Sequence, residues 1–486
     1  MPRTLSNRIV LPILAFYLYL AGSAPYLGQW DSFDYLKQIV THQLSALGFG
    51  RPVFIGYNIL IWESMRRLFR LSPIQVEMVI MAATVLLGVA GVVLFDRLAR
   101  RLLPSQMSQM AVVALMLSPI YAIYSGFVMT EVPMLVALLA SALVIWKPGA
   151  RNTAWRDIAG GVLLGLAAGI REQALTLGPA FLWILWAARG DLKSRMRSML
   201  LFGTAAAASA AVPVFAIYLH DPAAFVGRMQ TWIQAIPMGE PQFWTNVQAS
   251  LLYTIAVCPG AWIAAAGAGI VFLFRRQNPA QVSGTKEGNA NGSAIPNPVA
   301  GAVCCLVVPV VALWRDADLQ IHPRYEMVIL PAVLIFCVSV FRRWFPSRKG
   351  PIIWAALQIA VFGITLLLFS PLRRTQIEKI EYARMMRDAV PGEALLIAGN
   401  LSPILDYYRG IGFRPGWRIV WSGWNWDANA AEKVIRRSWA EHIPVYLSEN
   451  PSGWSYLESE FLDLWYLLKD SKKEQVAPNL YRVFQP

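Results

Sequence analysis

The stretch PIQVEMVIMAATVLLGVAGVVLF, residues 73–95, runs directly into Asp96-Arg97-Leu98-Ala99-Arg100-Arg101, and its reading decides the fold. Wound as a helix at ~1.5 Å per residue, an apolar run of this length crosses the ~30 Å hydrocarbon core of a bilayer. The basic cluster that ends it marks the cytoplasmic side, where short loops carry the Lys and Arg excess. Composition agrees: 15% of the 486 residues are charged, mean hydropathy is +0.45, and soluble domains run near a quarter charged. The formal charge of +14 therefore reports loop placement rather than a nucleic-acid partner, and none is expected. Cys258, Cys304, Cys305 and Cys337 all lie in apolar runs, so they read as small buried hydrophobes, without a disulfide framework or metal-ligand spacing.

Upstream, Arg3 and Arg8 precede an apolar run from Ile9 to about Leu27. A basic start and small-residue exit fit a signal peptide, but the many later spans favour a retained one, with the N-terminus cytoplasmic. Residues 28–72 then form the first external loop. It passes from Trp30-Asp31-Ser32-Phe33-Asp34-Tyr35 to an amphipathic part between Arg51-Pro52 and Arg70. The apolar part before Glu63 is too short to cross ~30 Å and reads as an interfacial helix.

Downstream, residues 107–146 are apolar for about twice a span and interrupted by Ser125-Gly126 and Thr130-Glu131-Val132-Pro133. Both flanks are basic, so the chain turns around in the middle. Residues 158–188, split at Arg171-Glu172-Gln173, repeat that logic. Further spans are expected at 199–219, 250–274, 298–314, 325–341 and 352–370, with 277–298 a flexible cytoplasmic linker rich in Gly, Asn and Ser. The sum is about eleven spans with the C-terminus outside. Arg66, Arg67 and Arg70 are the exception to the charge rule.

After Pro371 the composition becomes that of a soluble domain. Strands are expected at 394–398, 417–421, 443–447 and 480–484, alternating with helices at 402–409, 429–441 and 454–469, a small α/β domain over 371–486. It holds no phosphate-binding glycine motif, and its Trp417, Trp421, Trp424, Trp426 and Trp454 read as core or aromatic belt.

This topology gathers ionisable residues on the external face, where each has two readings. Asp31 and Asp34 either cap an amphipathic helix or supply a general base whose pKa a desolvated site would raise, Asp31 being the first choice. Thr130 and Glu131 suit a helix start with Pro133 in its first turn. Arg171, about 2.5–3.5 kcal/mol costly at mid-membrane, needs a partner such as Glu172 or an anionic ligand. Arg324, in His322-Pro323-Arg324-Tyr325, either snorkels or offers a forked donor to phosphate. His42, His220 and His322 lack ligand spacing, so metal dependence is left open.

Taken together, these pieces resemble the GT-C superfamily of polyprenyl-phosphate-sugar-dependent glycosyltransferases, nearest the protein mannosyltransferases and lipid A aminoarabinose transferases. The residues that carry it are Asp31 to Tyr35, Arg51-Pro52, Thr130-Glu131-x-Pro133, Gly169-Ile170-Arg171-Glu172 and His322-x-Arg324-Tyr325, with the external C-terminal domain. Many relatives place two adjacent acids in the first loop, whereas here Ser32 follows Asp31 and the second acid is Asp34.

The resemblance implies a catalytic membrane module over 1–370 and a sugar delivered on a polyprenyl phosphate outside the membrane to a lipid, glycan or protein acceptor. Asp31 would be the base, with Asp34 second. Glu131 would orient Arg171 or the sugar, and Arg171 and Arg324 would hold the donor phosphate, with Tyr35, Arg51, His322 and Tyr325 also on the substrate. A transporter or flippase of lipid-linked sugars is the alternative, but it would more often carry midplane charges and broken helices in matching halves. A polymerase or ligase acting on lipid-diphosphate glycans differs mainly in its donor.

Overall fold

The computed structural model describes residues 2–23, 30–44, 50–146, 154–189, 191–235, 243–257, 309–311, 323–344, 349–420, 427–454 and 457–486. The linker 277–298, Cys258, Cys304, Cys305, His322, Trp421, Trp424 and Trp426 lie outside the described residues.

The first part is helical: α1 (Pro2–Gly22), α2 (Trp30–Val40), α3 (Pro52–Leu68), α4 (Pro73–Leu102), α5 (Ser105–Met116), α6 (Pro119–Tyr124), α7 (Glu131–Ile145), α8 (Ala154–Ile170), α9 (Gly178–Ala188), α10 (Leu192–His220), α11 (Pro222–Ala235) and α12 (Phe243–Val257). Then follow α13 (Leu330–Trp344) and α14 (Gly350–Ala389). Short 3-10 helices, Glu172–Leu177 and Pro323–Val328, precede α9 and α13.

Among the described residues three helical segments, Pro73–Leu102, Leu192–Leu219 and Gly350–Leu368, are long and apolar enough to cross a membrane. Shorter apolar segments include Ile9–Gly22, Glu131–Ile145 and Leu330–Arg342. Leu200 on α10 and Leu367 and Leu368 on α14 are more than two-thirds exposed, and large apolar side chains left open on helices of this length call for lipid rather than water.

Local chemistry sets the helix ends. Ser72 accepts from the Gln75 backbone N–H at 3.4 Å while the Gln75 side chain accepts from the Ser72 N–H at 2.8 Å, a reciprocal cap that starts α4. At its other end Arg101 Nη1 donates to the carbonyls of Leu143 and Trp146, at 2.6 and 2.7 Å. It thus satisfies the last carbonyls of α7 and complements that helix's negative end. Between α8 and α10 the backbones nearly touch: a Cβ added at Gly161 would collide with the Phe202 carbonyl, and one at Gly165 with Ser209. Small residues four apart give this close approach, the usual means of packing helices in lipid.

Helix α14 does not stop where the composition changes. It runs through residue 370 to Ala389, about 60 Å at 1.5 Å per residue, so the apolar segment and the C-terminal domain are joined by continuous helix. The domain is a five-stranded sheet of order β2-β1-β3-β5-β4. Its strands are β1 (Glu393–Ile397), β2 (Gly416–Val420), β3 (Val445–Ser448), β4 (Lys473–Ala477) and β5 (Leu480–Val483), with helices α15 (Ser402–Gly410), α16 (Ala428–Ala440) and α17 (Glu458–Leu468). β1 lies parallel to β2 and β3, whereas β5 is antiparallel to β3 and β4. The four expected strands are present, and β4 is an additional one. Tyr382, on α14, ties helix to sheet by donating to the Asn479 carbonyl at 2.8 Å.

Candidate active site

Helix α8 ends at Ile170 and the backbone at Arg171 becomes extended, φ −158° and ψ 125°. That break turns the Arg171 side chain inward. Its guanidinium forms an ion pair with Glu131, Nη1 donates to Thr130 Oγ1 at 2.9 Å, and Nε donates to Gln173 Oε1 at 2.8 Å. The expected partner Glu172 is not the one used; Glu131, from the start of α7, takes that place. Neighbours in sequence at a helix break point in different directions, so contiguity was a poor guide. Thr130 precedes α7 but makes no side-chain cap; its hydroxyl serves Arg171 instead.

Arg324, in the 3-10 helix before α13, bridges two acids. Its Nη2 lies 2.5 Å from Asp31 Oδ2 and its Nε 3.2 Å from Glu131 Oε1. Burial works against the Arg324 charge, but Asp31 and Glu131 carry its pKa well above the ordinary value. The Tyr325 ring lies between the two guanidinium groups, with its centroid 4.6 Å from Arg171 Cζ and 5.5 Å from Arg324 Cζ. Asp31, Glu131, Arg171, Arg324 and Tyr325, drawn from separate parts of the sequence, thus form one cluster.

Arg51 sits beside it. Its backbone is left-handed, φ 50° and ψ 48°, a conformation that costs a non-glycine residue of order 1 kcal/mol. The side chain is buried and lies over the Tyr35 ring at 5.2 Å; Tyr35 packs edge-on against Phe54 of α3. The Arg51 Nε has no hydrogen-bond partner among the described residues. Burial, and then the charge of Arg171, lower the Arg51 pKa, opposed by Glu172, Glu131 and Asp31. Like charges held together in a buried place are what an anion site requires.

Asp34 stands apart from this cluster. It accepts from Gln38 Nε2 at 2.6 Å, and burial raises its pKa to about 6 against the opposing pull of Lys37. His42 pairs with Glu63 at 3.0 Å in an exposed position. Among the described residues no group of three or more His, Cys, Asp or Glu side chains could hold a metal ion. Thr130 and Gln173 were not singled out as site residues from the sequence; their signal was only proximity to Glu131 and Arg171 in two already suspicious turns.

Residues 58–217 match the family model described as dolichyl-phosphate-mannose-protein mannosyltransferase, a stretch that contains Glu131 and Arg171. Along its whole length the chain is similar to the crystal structure of ArnT from Cupriavidus metallidurans bound to undecaprenyl phosphate. That likeness has a TM-score of 0.61 at 13% identity, over 98% of this chain and 97% of that one. The apo form of the same protein gives a TM-score of 0.46 at 14% identity, over 99% and 98% of the two chains. Archaeal oligosaccharyltransferase AglB from Archaeoglobus fulgidus, in complex with an inhibitory peptide and a dolichol-phosphate, gives 0.48 at 10% identity, over 92% and 70%. No curated protein sequence matches the chain. The fold resembles that of ArnT over nearly the whole of both chains.

Proposed function

We propose that this protein is an inverting glycosyltransferase that moves a sugar from a polyprenyl-phosphate donor to an acceptor hydroxyl at the external membrane surface. The observation that carries the reading is Arg324 bridging Asp31 and Glu131, with Arg171 on the other side of Glu131. This couples a candidate base to a paired-arginine cradle for the leaving phosphate. The undecaprenyl phosphate bound by the ArnT of similar fold is the lipid such a cradle suits.

In the step, the acceptor oxygen attacks the anomeric carbon and the bond from that carbon to the phosphate oxygen breaks. The electron pair stays on the phosphate and the hydroxyl proton passes to Asp31. Arg171 and Arg324 stabilise the negative charge that develops, where fixed donors in a water-poor site act most strongly. A phosphate that takes Arg324 also releases Asp31 from its ion pair, so donor binding and base activation are linked. Arg51 adds a third cation, and Tyr35 and Tyr325 hold the guanidinium planes. Glu131 orients both arginines, and Asp34 is the second acid of the loop; His322 is assigned to donor binding from the sequence motif alone.

Residues 1–370 form the membrane module, with about eleven spans and a cytoplasmic N-terminus, and 371–486 the extracytoplasmic domain. Labelling of Asn400→Cys only from outside supports that topology; labelling only from the cytoplasm overturns it. For the chemistry, mass spectrometry of glycolipids and glycoproteins in cells carrying wild type, Asp31→Asn or no protein gives product and acceptor together. Loss of product in Asp31→Asn at normal protein level supports the reading, and near-normal product removes Asp31 as base.

A further inference from the structure

The helix that carries Asp31 is gripped on its opposite side by the C-terminal domain. At 100° per residue, Asp31, Asp34, Tyr35 and Gln38 share one face of α2, and Phe33, Leu36, Lys37 and Val40 share the other. The first face meets Arg324 through Asp31. Contacts of the second face line up with α15 of the C-terminal domain. The Phe33 and Tyr407 rings lie 6.0 Å apart, Lys37 Nζ is 2.5 Å from Asp406 Oδ2, and Gly410 brings its backbone against Val40 and Thr41.

Asp406 is the focus of this contact. Its side chain is fully buried while Lys37 is a fifth exposed, and Arg409, one turn on, forms a second ion pair with it. A buried carboxylate stripped of water is strongly destabilising without such partners. Beside the contact lies a cavity of about 340 Å³, lined among others by Phe33, Glu77, Arg384 and Tyr407. Phe33 of α2 lines that cavity, and the contacts with α15 set the placement of α2 on this side.

We propose that the C-terminal domain is part of the catalytic apparatus, with Asp406 a positioning residue that holds α2, and thereby Asp31, in register with Arg324. The inference rests on the transferase reading for Asp31, but the grip itself is a physical claim testable without turnover. A displacement of only ~1 Å in a reacting group lowers rate by as much as ~100-fold, so a side chain far from the chemistry controls it through α2.

The experiment compares wild type, Asp406→Asn, Lys37→Met and the double variant, full-length in lipid nanodiscs, by hydrogen exchange and by turnover. Asp406→Asn raises exchange in residues 30–40 about ten-fold and leaves α4 and β1 unchanged, since loss of a local contact opens a local unit. Its kcat falls about ten-fold with donor KM unchanged, as expected for misplaced chemistry rather than lost binding. The double variant loses no more turnover than Asp406→Asn alone, because both changes remove the same Lys37–Asp406 contact. Should Asp406→Asn fail to fold, the partly exposed Lys37→Met carries the same comparison. Unchanged exchange in α2 overturns the grip, and raised exchange with normal kcat overturns its catalytic role. Absence of transfer by wild type contradicts the transferase reading, while the exchange result still decides the grip.

Discussion

Two buried charge clusters occupy opposite ends of the helices α7 to α10, and they use the same chemistry for different ends. Away from the site, Arg189 pairs with Asp157, donates from Nε to Ser198 Oγ at 3.1 Å, and Ser198 donates to Asp157 Oδ2 at 2.7 Å. One cation, one anion and one hydroxyl close on each other, with Asp157 almost wholly buried, joining the ends of α8, α9 and α10. At the other end, Glu131 is shared by two arginines, a third, Arg51, has its pKa lowered first by burial and then by the charge of Arg171, and Asp31 is a quarter exposed. Balance and closure make the first cluster a lock. Crowding of like charge and access for a reactant fit the second to be the proposed site.

The comparison breaks most sharply under equivalent substitutions. Asp31→Asn lowers kcat by ~100- to 10,000-fold, the usual contribution of a positioned base, with little change in melting temperature. Asp157→Asn does the reverse: it leaves Arg189 without its anion and destabilises by roughly 3–5 kcal/mol, while kcat per folded molecule is unchanged. Thermal unfolding and single-turnover assays on the two variants check both. If Asp157→Asn instead removes activity from well-folded protein, the division into lock and site fails.

A milder substitution acts on donor binding. Arg171→Lys keeps the charge but loses the fork that reaches Glu131, Thr130 and Gln173, so donor KM rises about ten-fold, or ~1.4 kcal/mol. Equal KM for wild type and variant, read from donor titrations, counts against a phosphate role.

The smallest effect is one of pH. Burial raises the Asp34 pKa from 3.8 to about 6, so the folded protein holds that proton more tightly than the unfolded chain. Stability associated with it is present below about pH 4 and is lost as pH rises through 6. Asp34→Asn is therefore neutral near pH 4 and stabilising above pH 6. A difference in melting temperature that stays flat between these pH values contradicts this.

Much of the fold was legible because membrane helices announce themselves by length, apolarity and flanking charge. The turn between α6 and α7 and the break at Arg171 followed from such patterns, and strands β1, β2, β3 and β5 from short apolar runs alternating with helical ones, whereas the parallel pairing of β1 with β2 and β3 was not read from the sequence. Strand β4 did not, because Lys473-Glu474-Gln475 are polar on both faces and become a strand only by pairing with the edge of β5. The continuation of α14 past residue 370 was hidden for a related reason: composition changes there, but the helix-forming residues between 371 and 389 do not stop. At the site, residue types pointed to Asp31, Glu131, Arg171 and Arg324, and the structure unites them. Their pairing was not legible, since Arg171 meets Glu131 across two helices and Lys37 meets Asp406 across the length of the chain.

The central claim is that the arginine cluster holds a lipid phosphate. Binding of undecaprenyl phosphate to the full-length protein in nanodiscs, compared between wild type and the Arg171→Lys, Arg324→Lys double variant, tests it most directly. Wild type binds saturably and the double variant at least ten-fold more weakly if the cluster holds the phosphate; equal affinity in the two proteins would contradict that role.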